Sequence, residues 1–156
     1  MKEETIISVI NDMNAKRKNA FTLKSLSGNV DLSIHTSIID PNTTYQSRAG
    51  RTYRFYLIKD PKGKYVVAVY DMGGDLHWVV LPKQRRKGYL VKPLKEVIIP
   101  HLFRDQEEIK ISIIKEIGKE LFTASERIAL KVGFVQINED SEMREYIVKH
   151  GIPESN

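Results

Sequence analysis

The sequence predicts a mixed α+β fold, a largely antiparallel sheet flanked by helices. Three observations predict it. Residues 3–18 carry apolar side chains at helical spacing, residues 52–81 hold three β-rich runs separated by turn residues, and helical periodicity returns after Gly88. Helices that follow a β-meander on one chain are the pattern of an α+β domain. A chain of 156 residues suits one domain spanning 1–156, and 41% apolar against 29% charged residues is a globular balance.

The first element is a helix over 3–18. Ile6, Ile10 and Met13 share a face with Ile7 alongside, the acids Glu3 and Glu4 open it, and Lys16, Arg17 and Lys18 close it. Short strands are expected near Phe21–Leu26 and Val30–Ile39, then a polar loop from Pro41 to Gly50. The runs 52–59 and 65–70 are rich in aromatic and β-branched residues, and Asp60-Pro61-Lys62-Gly63 supplies the turn between them. Asp71-Met72-Gly73-Gly74-Asp75 leads into a third strand, Leu76–Leu81, completing a meander. Leu94, Val97, Ile98 and Leu102 then recur at helical spacing up to about Phe103. A buried strand follows at Ile109–Ile114, a helix at 124–132 and a strand at Phe134–Ile137. The alternation in 142–149 suits an edge strand, its charge a helix.

Composition excludes several classes. There is no cysteine, so no disulfide framework, thiolate metal site or thiol nucleophile, and a reducing cytoplasmic location is expected. The start, MKEETIISVINDMNAKRKN, has no apolar stretch of the kind a secretion signal needs, so no leader is expected. No apolar run reaches the roughly 18 residues of a membrane span, so no membrane partner is expected. His35, His101 and His150 lack metal-ligand spacing, so no metal is expected. The net charge of +5 favours anionic partners modestly.

The chemistry concentrates in Val80-Leu81-Pro82-Lys83-Gln84-Arg85-Arg86-Lys87-Gly88-Tyr89-Leu90, which follows a strand and opens a helix. Free N–H groups and the positive dipole end at a helix start attract anions. Gly88 removes a side chain where a ligand would approach the backbone. Lys83, Arg85, Arg86 and Lys87 surround it, and phosphate is the anion they suit best. Pro93 falls in the first turn if the helix begins near Leu90, which leaves the amides of Gly88 to about Val91 free. The alternative is a basic surface loop ending in an ordinary glycine. The spacings GxxxxGK and GxGxxG are absent, which excludes the commonest phosphate loops.

These residues resemble the signature of the GNAT acetyltransferases. Val80-x-Pro82-x-x-Arg85-x-x-Gly88 is similar to V-x-P-x-x-R/Q-x-x-G-x-G/A. Ser125, Lys131, Gly133 and Phe134 are similar to the N-x-x-S-x-x-x-x-x-K-x-G-F run of the branch that includes ribosomal-protein alanine acetyltransferases. The two motifs come in the family's order and cover roughly 52–149, residues 1–50 being divergent. The resemblance implies a GNAT-like fold and transfer of acetyl from acetyl-CoA to a primary amine by direct attack. It implies that Val80 and Leu81 lie nearest the pantetheine arm and that the amides of Arg86, Lys87, Gly88, Tyr89 and Leu90 hold the pyrophosphate, Arg85 standing at the R/Q position. Three positions depart from the family. Leu90 replaces a small residue and would obstruct the backbone, Phe122 replaces the Asn, and Ala129 stands where many relatives carry a general-acid Tyr.

Other residues admit two readings each. Ser125 offers a hydroxyl to the leaving thiolate or the pantetheine arm, or it caps its helix. His77, before the loop, can act as a base through water, or it is structural. Asp71 and Asp75 flank a Gly-Gly turn and serve it. Tyr89 stacks on the cofactor or covers the helix start, and Trp78 reads as core. Three functions compete: an acetyltransferase acting on a small-molecule amine or a protein N-terminus or lysine; a non-catalytic GNAT-fold protein that binds CoA or a protein partner; and a nucleic-acid binder using the 83–95 basic patch. The patch lacks the interleaved aromatics of a single-strand platform, which disfavours the last. Monomer and homodimer both remain open.

Overall fold

In the computed structural model, residues 2–15, 22–36 and 52–151 are described. The chain opens with α1 (Glu3–Asn14). Five strands follow: β1 (Lys24–Ser25), β2 (Val30–Thr36), β3 (Thr52–Lys59), β4 (Tyr65–Asp71) and β5 (Leu76–Val80). They pair antiparallel in the order β1-β2-β3-β4-β5. An unbroken helix comes next, formed by α2 (Val91–Pro93), a π segment (Leu94–Ile98) and α3 (Ile99–Leu102). The remainder is β6 (Glu108–Ile114), α4 (Lys119–Val132), β7 (Val135–Glu139) and β8 (Met143–Lys149). These three strands form a second antiparallel sheet in the order β6-β8-β7. The mixed α+β class with antiparallel sheets and flanking helices is therefore the observed one.

The period of two decides the packing. On β3 and β4, Tyr56, Ile58, Val67 and Val69 join the main core, while Phe55, Leu57, Ala68 and Tyr70 face α1 on the other side. Both faces are covered, so Val66–Asp71 is buried throughout. Helix α1 packs through Ile6 and Ile10, both fully buried. Each such burial contributes about 1.5–3 kcal/mol, which a 12-residue helix needs in order to persist. The Asn14 side chain ties the end of α1 to the start of β4: Nδ2 donates to the Tyr65 carbonyl and Oδ1 accepts the Tyr65 N–H, both at 2.8 Å.

Several boundaries differ from the sequence expectation. Helix α1 ends at Asn14, and Lys16–Lys18 and the 41–50 loop lie outside the described residues. Pro100 explains the π segment: it has no N–H to give, and just before it the Ile99 N–H reaches back five residues to the Leu94 carbonyl. Helix α4 begins at Lys119, not 124, because Gly118 at φ 96° makes the entry turn. The 142–149 segment is a strand, but not an edge. It pairs on both sides, with β6 and β7, and its alternation reflects Tyr146 facing the core. Gly133 ends α4 in the left-handed conformation, with Phe134 N–H donating to the Ala129 carbonyl at 3.0 Å and the Phe134 ring in the core. That is a Schellman closure, and it gives the Gly-Phe pair of the motif a structural task.

Candidate functional site

The two sheets meet at one point. Asp75 and Lys110 form a parallel bridge, with the Lys110 N–H donating to the Gly74 carbonyl at 2.8 Å. Beyond it β5 and β6 separate, and among the described residues no ladder bond joins them. A cleft of ≈ 1120 Å³ opens between them, lined by Leu76–Val80, Ile111–Ile114, Arg85, Arg86 and residues of α4. Its size exceeds that of a typical small-molecule pocket, about 300–1,000 Å³.

Strand register aims the backbone into this cleft. Antiparallel pairs alternate between bonded and non-bonded positions. Leu81 N–H bonds the Val66 carbonyl and Met72 N–H the Asp75 carbonyl. So His77 and Val79 bond β4, while the amides and carbonyls of Trp78 and Val80 point at the cleft. On the other wall, Lys115 N–H bonds the Glu142 carbonyl and His150 N–H the Glu107 carbonyl. That register turns the backbone of Ser112 and Ile114 toward the cleft. Leu81 is a correction. Its N–H belongs to Val66 and its side chain packs on the α1 side, so it does not face the cleft.

A short 3-10 turn (Pro82–Gln84) follows β5, then the turn of interest. The amides of Arg85 to Leu90 find no acceptor among the described residues. Arg86 at φ 64° and Gly88 at φ 78° both adopt the left-handed region, which alternates the chain direction and brings successive amides to one side. Leu90 is 3% exposed in the main core, so its side chain leaves the amide edge clear instead of obstructing it. Tyr89 packs partly buried against the same core, and Pro93 is the third residue of its helix. The cations divide. The Arg86 side chain is 81% exposed, with Glu120 at 3.4 Å, while Lys83 and Lys87 are exposed. Arg85 is engaged elsewhere: it donates through Nε to the Val80 carbonyl at 3.3 Å and pairs with Glu3 of α1.

Of the residues the sequence singles out, the cleft gathers His77, Trp78, Val80, Arg85, Arg86 and Ser125. Lys87, Gly88, Tyr89 and Leu90 form the adjoining turn. Ser125 is the seventh residue of α4, so it does not cap the helix, and Leu121, Ala124, Ser125 and Ile128 make the helix face that lines the cleft. Phe122 faces away, under the Arg144 guanidinium at 5.1 Å, and Ala129 is fully buried. His101 accepts or donates through Nδ1 with the Tyr56 hydroxyl at 2.9 Å, and His150 stacks on Phe103. Asp71 serves its turn, Oδ1 accepting the Gly74 N–H at 2.8 Å. Asp75 serves it through the main chain, its carbonyl accepting the Met72 N–H at 3.0 Å, while its carboxylate Oδ2 meets His77 Nε2 at 3.1 Å. Tyr70, whose hydroxyl burial pushes above its ordinary range, stacks on His77 with centroids 5.2 Å apart. Sequence reasoning missed Tyr70, Ser112 and the start of α4 at Gly118–Leu121, all on the cleft wall. Only the i, i+2 spacing of Asp75 and His77 could have signalled their pairing.

Comparison with known proteins points one way. No family model matches the sequence, and no curated protein matches it. Solved structures do. A point mutant of spermidine N-acetyltransferase SpeG from Vibrio cholerae aligns with TM-score 0.55 at 10% identity, over 96% of this chain and 92% of that chain. SpeG in complex with CoA and spermine aligns with TM-score 0.50 at 10% identity, over 76% and 95%. N-acetyltransferase PseH from Campylobacter jejuni aligns with TM-score 0.51 at 12% identity, over 78% and 99%. Against a SpeG chimera with hSSAT the chain spans 66% of that chain's length. At such identities the likeness is one of architecture: the chain shares its fold with these N-acetyltransferases.

Proposed function

We propose that this chain is an acyl-CoA-dependent N-acetyltransferase, carrying acetyl from acetyl-CoA to a primary amine by direct attack, with residues 1–156 acting as one domain. The observation that carries the reading is the separation of β5 from β6 above one bridge, with the donor-rich turn Arg85–Leu90 beside the opening. The residues suit the ligand. The amides of Arg86 to Leu90, with Arg86, Lys83 and Lys87, would hold a pyrophosphate. The inward backbone groups of Trp78, Val80 and Ser112 would hold the two amides of a pantetheine arm. Bound acetyl-CoA supplies a thioester: the amine nitrogen forms the C–N bond, the C–S bond breaks, and the thiolate takes a proton.

His77 and Ser125 are the polar side chains for that work. His77 approaches from the α1 side of the sheet as base, and Ser125 from α4 as donor to the sulfur. That SpeG binds CoA and spermine supports an amine acceptor here, small molecule or protein. A second reading, a non-catalytic CoA-binding module, is favoured by Ala129, which puts a buried methyl where relatives have a phenol.

Two measurements test the pair of readings. Acetyl-CoA at 100 times its Kd should add about 2.7 kcal/mol of native stability and raise the unfolding temperature. Thiol release from acetyl-CoA with an amine panel, polyamines and peptide N-termini included, should then follow. A thermal shift without thiol release selects the non-catalytic module. No shift at millimolar CoA defeats both.

A further inference from the structure

We propose that Asp75 is a positioning residue that holds His77 in the tautomer with its proton on Nε2, leaving Nδ1 as the atom that accepts the acceptor amine's proton. The proton transfer rests on the acetyltransferase reading above. The tautomer does not.

The comparison with the other turn aspartates makes the case. Asp60 Oδ1 accepts the Lys62 and Lys64 N–H groups at 2.9 and 3.0 Å. Asp71 Oδ1 accepts the Gly74 N–H, and Asp140 Oδ1 the Glu142 and Met143 N–H groups at 2.7 and 2.9 Å. Each closes its own turn through its carboxylate. Asp75 ends the Gly73-Gly74 turn, yet its carboxylate accepts no amide. The turn is closed by its main-chain carbonyl, which accepts the Met72 N–H at 3.0 Å. Among the described residues, the carboxylate's one hydrogen bond is Oδ2 to His77 Nε2, and Oδ1 is buried without a partner. Turn geometry therefore gives no reason for a carboxylate here. The histidine does.

Ring orientation follows from packing. Residues two apart on an extended chain share a face, which places Asp75 beside the His77 edge. Tyr70 covers one face of the imidazole at 5.2 Å and 21°, itself stacked on Phe55 at 5.6 Å and 20°. That row of rings fixes the plane while Asp75 fixes the rotation. A carboxylate can only accept, so the neutral imidazole carries its proton on Nε2. Nδ1 then holds the free lone pair, and among the described residues nothing bonds it. With His77 on the cleft wall, one N–H proton passes from the attacking amine to Nδ1. The amine's electron pair forms the C–N bond, the C–S pair leaves on sulfur, and the imidazolium beside Asp75 returns its proton to the thiolate or to water.

The test is Asp75→Asn in the full chain, isosteric but able to donate. Its amide can present either an oxygen or an N–H to Nε2, so the ring proton is no longer confined there and shifts in part to Nδ1, weakening the base without removing the ring. Imidazole nitrogen shifts of His77, assigned with His77→Gln, should show protonated Nε2 in the native protein and an increased Nδ1-protonated fraction in the variant. Where the native protein transfers acetyl, kcat should fall on the order of 10²-fold in Asp75→Asn. CoA affinity should be unchanged, and Asp75→Glu should recover much of the loss. Native Nδ1 protonation, or a variant with unaltered tautomer and kcat, overturns the proposal. If Asp75→Asn fails to fold, the native tautomer alone decides. A native protein with protonated Nε2 but no thiol release with any amine leaves the pair standing and removes the acetyltransferase reading; transfer by a protein with protonated Nδ1 does the reverse.

Discussion

Arg86 holds φ at 64°, a conformation that an L side chain adopts at about 1–2 kcal/mol. Its side chain packs on nothing that offsets this, being 81% exposed. Strain of this kind persists at sites where the backbone direction itself is needed, and here that direction gathers the amides of Arg85–Leu90. Arg86→Gly should therefore leave the thermal unfolding midpoint unchanged or raised, while weakening CoA binding measured by calorimetry through loss of a cation. Gly88 gives the complementary case. An added Cβ meets no atom within 4 Å, but φ is 78°, so Gly88→Ala should lose about 1 kcal/mol of stability. Gly88→Glu adds a like charge against phosphate and should abolish CoA binding in the same titration. Undiminished affinity there would remove the anion cradle.

At the level of elements, one carboxylate of α4 makes two hydrogen bonds to the second sheet. Glu126 Oε1 accepts from the Tyr146 hydroxyl at 2.6 Å and from Arg144 Nη1 at 2.8 Å. The Tyr146 hydrogen bond first, then Arg144, holds the Glu126 carboxyl below its ordinary range, and burial first pushes the Tyr146 hydroxyl up to about 12. A depressed carboxyl contributes stability that is complete above the unfolded-chain value, about 4.3. That contribution is lost as pH falls through the lower folded value. The urea midpoint of the native protein should therefore drop below about pH 4.3 more steeply than that of Glu126→Gln. Parallel profiles would mean that the carboxylate does not couple helix to sheet. The Schellman closure at Gly133-Phe134 anchors the same helix at its other end, setting Leu121, Ser125 and Ile128 against the cleft.

For the whole molecule, the decisive feature is a sheet interrupted between β5 and β6. The main core, reached from both sheets, the 91–102 helix and α4, holds the two halves together, while among the described residues one bridge and one main-chain hydrogen bond join their strands. Backbone groups left unpaired this way are open to water. The amides of Trp78, Val80, Ser112 and Ile114 should exchange faster than those of Val79 and Ile113, and saturating CoA should slow them selectively. Uniform protection without ligand would mean that the strands are zipped. No helix among the described residues is long and apolar enough to cross a membrane.

The meander was legible because alternation and the Asp60 and Gly73-Gly74 turns are local, and the turn after β5 because Pro82, Gly88 and Pro93 punctuate it. The start of α4 was not, because Gly118 and Lys119-Glu120 carry no apolar period. Nor was the central place of β8, whose charged outer face reads like an edge. Sequence by itself determined the elements and the cationic turn, since dihedral preference and apolar period act within a few residues. Tertiary structure alone decided where β5 leaves β6, which way Leu81 and Leu90 turn, and that the Asp75 carboxylate meets His77 while only its carbonyl closes the turn. Those outcomes depend on what residues distant in the chain leave room for, and no local pattern records that.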